Sequence, residues 1–243
     1  MLPSKPYLSI VIPAYNEEDR LPNTLEQAFG FLQEQAYQSE VVVVENGSQD
    51  RTLQVVQDYA SRYPNLRYIQ EPRRGKGSAI RRGMLAAHGI YRFMCDADLS
   101  MPITEIVRFL PPELEGFDVA IASREARGAV RYNEPVYRHL GGRAVNAMIR
   151  LMALPGLQDT QCGFKCFPED VAIDLFSCQT IAGWSFDVEI LYIARLRGYR
   201  IVEVPIKWYF DPETKLNPVR DTLQLFKDIL QIRRNHKRGV YWV

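Results

Sequence analysis

The stretch Tyr91-Arg92-Phe93-Met94-Cys95-Asp96-Ala97-Asp98-Leu99-Ser100-Met101-Pro102 decides how the chain reads, because a short apolar run stops abruptly on two carboxylates. Tyr91 to Cys95 has the length and composition of a buried strand, and Pro102 with Thr104 and Glu105 marks the loop into a helix. Side chains two apart on an extended chain point the same way, so Asp96 and Asp98 converge beyond the strand end. Two hard oxygen ligands, with the remaining positions left to water and a diphosphate, suit Mg2+ or Mn2+ better than Zn2+. Taken alone, Asp-x-Asp is common enough that a solvated acidic turn is the better reading, and the surrounding chain decides between the two.

Three units of strand, polar turn and helix precede it. Leu8 to Ile12 is an apolar, β-branched run ended by Pro13, followed by Tyr15-Asn16-Glu17-Glu18 and an amphipathic segment to about Gln35. Glu40 to Val44 repeats the pattern, with Glu45-Asn46-Gly47-Ser48-Gln49-Asp50 as its turn and a helix through Tyr63. Leu66 to Gln70 is a third strand and Lys76 to His88 a third helix. Such alternation predicts an α/β chain with a mainly parallel central sheet and helices on both faces. Ligands of these sheets sit at the carboxyl ends of the strands, where all the polar turns fall.

Beyond Pro102 the rhythm loosens. Asp118 to Ala122 reads as a fifth strand ending in Ser123-Arg124, residues 135–154 as a helix rich in Met and Leu, and Gly163 to Phe167 as a short strand. Phe186 to Arg197 is another helix, and Arg200 to Phe210 one or two strands broken at Pro205. With no linker or repeat, residues 1–243 read as one domain in three parts: a regular half over about 7–125, an elaborated half over about 126–218, and 219–243 as a basic amphipathic tail. In that tail Val219, Leu223, Phe226 and Leu230 share a helical stripe, with Leu225, Ile229 and Ile232 beside it. The pattern fits packing on the chain's own domain or contact with lipid.

A net charge of +1 over 243 residues argues against a nucleic-acid partner, but the charge is uneven. From residue 219 on, six Lys or Arg face only Asp221 and Asp228, so the tail is +4 and the remainder −3. A basic tail ending in Tyr241-Trp242 suits an anionic membrane surface. No run approaches the roughly 18 apolar residues of a membrane span, and Met-Leu-Pro-Ser-Lys-Pro lacks a signal peptide's apolar core. The expectation is a cytoplasmic chain, peripheral on the cytoplasmic membrane face, with Cys95, Cys162, Cys166 and Cys178 as reduced, mostly buried thiols. His88, His139 and His236 are too scattered to complete a zinc site with Cys162 and Cys166.

Four co-ordered motifs strengthen the metal reading of the acidic pair. Pro13-Ala14-Tyr15-Asn16-Glu17, then the Gly47-Ser48-x-Asp50 turn, then Arg74-Gly75-Lys76-Gly77, then Asp96-Ala97-Asp98 occur in the order and on the strand ends of family 2 glycosyltransferases, which the chain resembles. Asp159-Thr160-Gln161-Cys162-Gly163-Phe164-Lys165, the run Trp184 to Tyr192, and Glu213-Thr214-Lys215-Leu216 sharpen the resemblance toward dolichyl-phosphate glucosyltransferases and, less closely, dolichyl-phosphate mannose synthases. It covers roughly residues 7–235. It implies a GT-A fold and an inverting transfer of a hexose, glucose from UDP-glucose in the first instance, to a polyprenyl phosphate.

Carried over residue by residue, the resemblance places Pro13, Ala14, Tyr15, Glu17, Glu45, Gly47, Ser48, Lys76, Gly77, Asp96, Ala97, Asp98 and Asp187 at the nucleotide sugar, with Asp96 and Asp98 on Mg2+ or Mn2+. Asp98, Arg124, Arg138, Asp159 and Lys215 are the implied catalytic set. Tyr15 can stack on a base, and the cationic turn at Lys76 can offer N–H groups and charge to a diphosphate. Arg124 and Arg138 match two arginines that the mannose synthases aim at the acceptor phosphate, a task suited to planar guanidinium forks. Lys215 resembles a loop lysine that closes over the donor diphosphate. Asp159 stands where relatives with alcohol acceptors keep a base; a phosphate monoester, with a second pKa of ~6, needs little help from one, so Asp159 is expected to orient.

Asp187 and Glu189 could hold sugar hydroxyls or bond to backbone. The Met-rich helix from Leu140 to Leu154 is the expected landing site for the lipid, unless these residues are core. The chain departs from its relatives at Glu45-Asn46, Ser100, Gly142 and Thr214. A GDP-mannose donor, a soluble or glycan acceptor, and a non-catalytic sugar-nucleotide-binding role stay open as alternatives.

Overall fold

The structure, a computed structural model, describes residues 5–211 and 218–242, apart from the side chains of Pro218 and Val219. Its first half follows the apolar runs. β1 (Leu8–Ala14), α1 (Leu21–Gln33), β2 (Ser39–Glu45), α2 (Thr52–Arg62), β3 (Leu66–Gln70), α3 (Lys76–Ala86) and β4 (Tyr91–Met94) alternate as the polar turns dictate. A 3-10 helix over Ile103–Phe109 follows. Next come β5 (Val119–Ser123), β6 (Val130–Tyr132), α4 (Val136–Met152), β7 (Lys165–Pro168) and α5 (Glu169–Ser177). The described chain closes with α6 (Phe186–Leu196), β8 (Ile201–Pro205), β9 (Lys207–Tyr209) and α7 (Pro218–Lys237).

Seven strands form one sheet in the order β3-β2-β1-β4-β7-β5-β8, parallel except for β7. Ile10 of β1 pairs with Val41 of β2 on one side and Phe93 of β4 on the other. Both faces are covered, which is why these strands are apolar runs rather than alternating ones. Ile10, Ile12, Val41 and Val43 pack into the layer of α1, α2 and the 3-10 helix; Val11, Val42 and Val44 pack into that of α3, α5, α6 and α7. Strand order reverses between β1 and β4, and a crevice opens at such a point beyond the strand ends.

Several elements differ from their expected form. The strand anticipated over 163–167 is β7, inserted antiparallel between β4 and β5. β6 and β9 pair as a separate parallel ribbon, and α5 starts behind Pro168 with Glu169 and Asp170 in its first turn. On α4, Ile149 and Leu154 just beyond it are buried, and Met148 and Met152 pack against the same core. Its large exposed apolar residues are instead Val136, Tyr137, Leu140 and Leu151, so the methionines are partly buried against the core and the free apolar face lies on the other side of the helix. α7 divides likewise: Leu225, Ile229 and Ile232 are buried, while Leu223, Phe226 and Leu230 remain exposed.

Candidate active site

The crevice is built from the turns after β1, β2 and β4. After β4, Asp96 is half-buried and Asp98 reaches solvent, with Leu99 in the left-handed region at φ 47° and Ser100 N donating to Asp98 Oδ1 at 3.0 Å. Lys76, the first residue of α3, brings its Nζ to 2.6 Å from Asp96 Oδ1. That contact is an ion pair outside hydrogen-bond alignment, and Asp96 Oδ1 is otherwise a buried oxygen without a hydrogen bond. Burial alone would lower the Lys76 ammonium, but Asp96, Asp187 and Asp98 outweigh it and raise it. The Asp98 carboxyl is pushed up, by burial first and by Asp96 second. Because its side chain still meets solvent, the Asp96 charge is the influence a bound cation would relieve.

A buried carboxylate oxygen whose close partner is the Lys76 ammonium, beside a second, solvent-facing carboxylate, is a donor set of hard oxygens that fits a divalent cation. Among the described residues no group of three or more His, Cys, Asp or Glu could hold a metal by itself. Asp96 and Asp98 would therefore supply the protein's share of the ligands.

The turn after β2 is braced rather than open. Asn46 donates to Glu71 O and Arg73 O, both at 2.9 Å, and accepts from Gly75 N at 2.8 Å. Two of those three bonds need an amide N–H, so an aspartate could not make them. The departure at Asn46 thus ties the second turn to the turn that carries Lys76. Glu45 is buried and accepts from Ser48 N. Gly75 sits at φ 128°, where a Cβ would run into Ala182 O. In the first turn, Glu17 receives Arg20 as a fork, at 2.7 and 2.9 Å, and Arg20 also reaches Asp211 at 2.9 Å. Tyr15 is flanked by the Arg74 guanidinium, 5.9 Å from its ring centroid.

The run from Asp159 to Lys165 connects four parts of the molecule. Asp159, fully buried, receives Arg124 Nε at 2.6 Å, Arg124 Nη2 at 2.9 Å and Arg124 N at 3.0 Å. Burial would raise the Asp159 carboxyl, yet the Arg124 guanidinium outweighs it and holds it below the usual carboxylate range. Cys162 Sγ lies 3.4 Å from Met101 Sδ. Gly163 lies against Asp96, whose carboxylate a Cβ would strike. Lys165, buried, donates to Cys162 O at 2.6 Å and pairs with Asp187 on α6. Asp187 is itself pushed up by burial, against the pull of Lys165 and Lys76.

The structure separates the two arginines expected at an acceptor phosphate. Arg124 spends its fork on Asp159. Arg138 has no carboxylate partner among the described residues and lies over the Phe210 ring at 5.2 Å. β9 joins them to the acidic pair: Trp208 packs under Arg124 at 5.3 Å, Tyr209 N donates to Ser100 O at 2.7 Å, and Phe210 faces Arg138. Lys215 lies outside the described residues. The sequence anticipated a strand through β9, broken at Pro205, but not its place beside the site, nor Lys165's partner, nor Arg20; the aromatic run Trp208-Tyr209-Phe210 was the available signal. Glu189 bonds to backbone, accepting from Thr180 N at 3.0 Å and Ile181 N at 2.7 Å.

The family model for glycosyl transferase family 2 matches residues 9–176. Among curated proteins, the chain is similar to dolichyl-phosphate beta-glucosyltransferase of Dictyostelium discoideum, 32% identical over 249 residues, covering 97% of this chain and 76% of that one. The Homo sapiens protein of the same name is 33% identical over 249 residues, covering 96% and 77%. Among solved structures, glucosyl-3-phosphoglycerate synthase from Mycobacterium tuberculosis superposes with a TM-score of 0.66 at 19% identity, over 93% of this chain and 79% of that one. That structure holds Mn2+, uridine-diphosphate-glucose and phosphoglyceric acid.

Proposed function

The chain belongs to glycosyl transferase family 2, and on that premise we propose that it moves glucose from UDP-glucose to a polyprenyl phosphate. The GT-A fold expected from the sequence is borne out by the seven-stranded sheet and its structural likeness. The observation that carries the proposal is the link, through Tyr209 of β9 and Phe210 just after it, between an acidic pair suited to a cation-bound diphosphate and an arginine fork that no carboxylate occupies among the described residues. The names of the curated relatives support glucose and a polyprenyl phosphate; the ligands of the synthase structure support UDP-glucose and a divalent cation.

In this reading Asp96 and Asp98 hold Mg2+ or Mn2+, which, when bound, neutralises charge building on the departing UDP. Lys76 adds its ammonium to the same diphosphate, with Asp187 behind it. Arg138 orients the acceptor phosphate. With a second pKa of ~6, that phosphate is largely a dianion at neutral pH and attacks the anomeric carbon without a base. Asp159, locked to Arg124, serves orientation. Attack opposite the leaving UDP inverts the anomeric centre, giving a β-linked lipid phosphate from an α-linked donor.

The acceptor's lipid requires a membrane face. No helix among the described residues is long and apolar enough to cross a membrane. The exposed stripe of α4, Val136, Leu140 and Leu151, has Arg143 and Arg150 along one flank, and the stripe of α7 lies among Lys227, Arg233 and Arg234. Apolar stripes edged by basic residues suit a peripheral seat on anionic lipid. Leu140→Glu with Leu230→Glu is expected to abolish co-sedimentation with anionic vesicles; undiminished binding would place the membrane contact elsewhere.

The acceptor assignment is tested at Arg138. A hydrogen-bonded charge pair contributes about 1.5 to 3 kcal/mol, so Arg138→Ala is expected to lower kcat/KM for polyprenyl phosphate roughly ten- to a hundred-fold. UDP affinity should hardly change. Unaltered lipid-phosphate kinetics, or equal weakening of UDP, would move the acceptor site away from α4.

A further inference from the structure

Between α5 and α6 the chain presents an aromatic ring that none of the steps above uses. Trp184 keeps 47% of its surface exposed, although it stands at the charged centre. Lys76 Nζ lies 4.9 Å from its ring centroid, and the same ammonium lies 2.6 Å from Asp96. About half of the Trp184 surface is packed and the other half is open, and the turn that carries it sets where that open half lies.

That turn is held from two sides. Glu189, fully buried, accepts from Thr180 N, Ile181 N and, at 2.8 Å, the Tyr241 hydroxyl. Toward the site, Gln179 Nε2 donates to Gly77 O at 2.9 Å, and Ser78 N donates to Ala182 O at 3.2 Å. A side chain at Gly77 would meet Ile181 O and Gly183 O. The turn bearing Trp184 and the helix start bearing Lys76 are thus one rigid unit, and the ring is presented toward open space.

We propose that Trp184 is the aromatic wall of the donor's hexose pocket. The proposal rests on the reading of Asp96, Asp98 and Lys76 as the diphosphate site. A hexose esterified to that diphosphate must lie immediately beside it, and the Trp184 ring is the exposed apolar surface next to Lys76. One face of a pyranose carries C–H groups, which meet the negative face of an indole favourably and lose water in doing so. Lys76, whose ammonium lies over the ring, 4.9 Å from its centroid, ties that wall to the diphosphate. Trp184 would then determine hexose affinity while leaving the nucleoside diphosphate untouched.

The test is calorimetric titration of the full chain with UDP and with UDP-glucose, both with Mn2+, for the unaltered protein, Trp184→Ala and Trp184→Phe. Trp184→Ala is expected to weaken UDP-glucose roughly three- to thirty-fold, the scale of aromatic contacts plus burial, with UDP changed less than about two-fold on the same basis. Trp184→Phe should restore most of the difference. Equal weakening of both ligands would show that Trp184 only shapes the diphosphate turn and overturn the wall. Unchanged affinity for both, with a raised KM for polyprenyl phosphate, would overturn it in favour of the lipid. The unaltered protein's own affinity for UDP separately reports on the diphosphate reading, so the two can fail independently.

Discussion

Asp98→Asn is expected to lower metal-dependent turnover by about a hundred- to ten-thousand-fold, because a Lewis-acid cation contributes several kcal/mol to such a step and each ~1.4 kcal/mol is tenfold in rate. The substitution keeps the side chain's size and its bond from Ser100 N, which lies 3.0 Å from Asp98 Oδ1. It removes one of two ligand charges at a position that already faces solvent, so the fold has little reason to respond. Circular dichroism and the melting temperature should match those of the unaltered protein. Raising Mn2+ into the millimolar range should recover part of the rate, since Asp96 and the diphosphate still offer ligands. Near-normal turnover at ordinary metal concentrations would remove the acidic pair from the mechanism.

Asp159→Ala is expected to act chiefly on stability. It strands Arg124, whose fork the fully buried Asp159 occupies at 2.6 and 2.9 Å, the Arg124 side chain itself being 22% exposed. Removing one partner of a buried pair costs about 3–5 kcal/mol, which for a chain of this size lowers Tm by roughly 6 to 20 °C. Replacing both partners, Arg124→Met with Asp159→Leu, should cost less than Asp159→Ala alone, since no buried charge is then left unpaired. The pH dependence has a definite sign. The Asp159 carboxyl is held below its usual range, so the unfolded chain binds its proton more readily. Its contribution is present above the ordinary carboxylate pKa and is lost as pH falls through the lowered value. The gap in Tm between the unaltered protein and Asp159→Ala should therefore be widest near neutrality and narrow in acid. A gap that is absent at neutral pH would mean that Arg124 finds another partner at no cost.

The first half of the chain was legible because its signals are local. Each apolar run of β1 to β4 stops on its own polar turn, and the turn residues lie within a few positions of the strand they end. β7 was hard to place because a four-residue strand carries no direction of its own: Phe93 opposite Cys166 and Ala120 opposite Cys166 are pairings between distant parts of the chain. At the site, the place of Asp96 and Asp98 just beyond β4 could be read from the sequence, but the partners of Arg124 and Lys165 could not. Those partners, Asp159 and Asp187, lie 35 and 22 residues away and meet them only through the fold. The helix at 135–154 shows the remaining difficulty. Its apolar content suggested a lipid site at the methionines, whereas Met148 and Met152 pack inward and Val136, Leu140 and Leu151 face out. Composition gives the amount of apolar surface; only the packing partners decide which side is covered.

Incubation of the purified chain with UDP-[14C]glucose, a polyprenyl phosphate in detergent and Mn2+ or Mg2+, followed by organic extraction, tests glucosyl transfer most directly. The account predicts label in the organic phase only when metal and lipid phosphate are both present, with a β linkage in the product. It also predicts little transfer from GDP-mannose. Label that stays aqueous while UDP is released to a soluble acceptor, or efficient transfer from GDP-mannose instead, would contradict it.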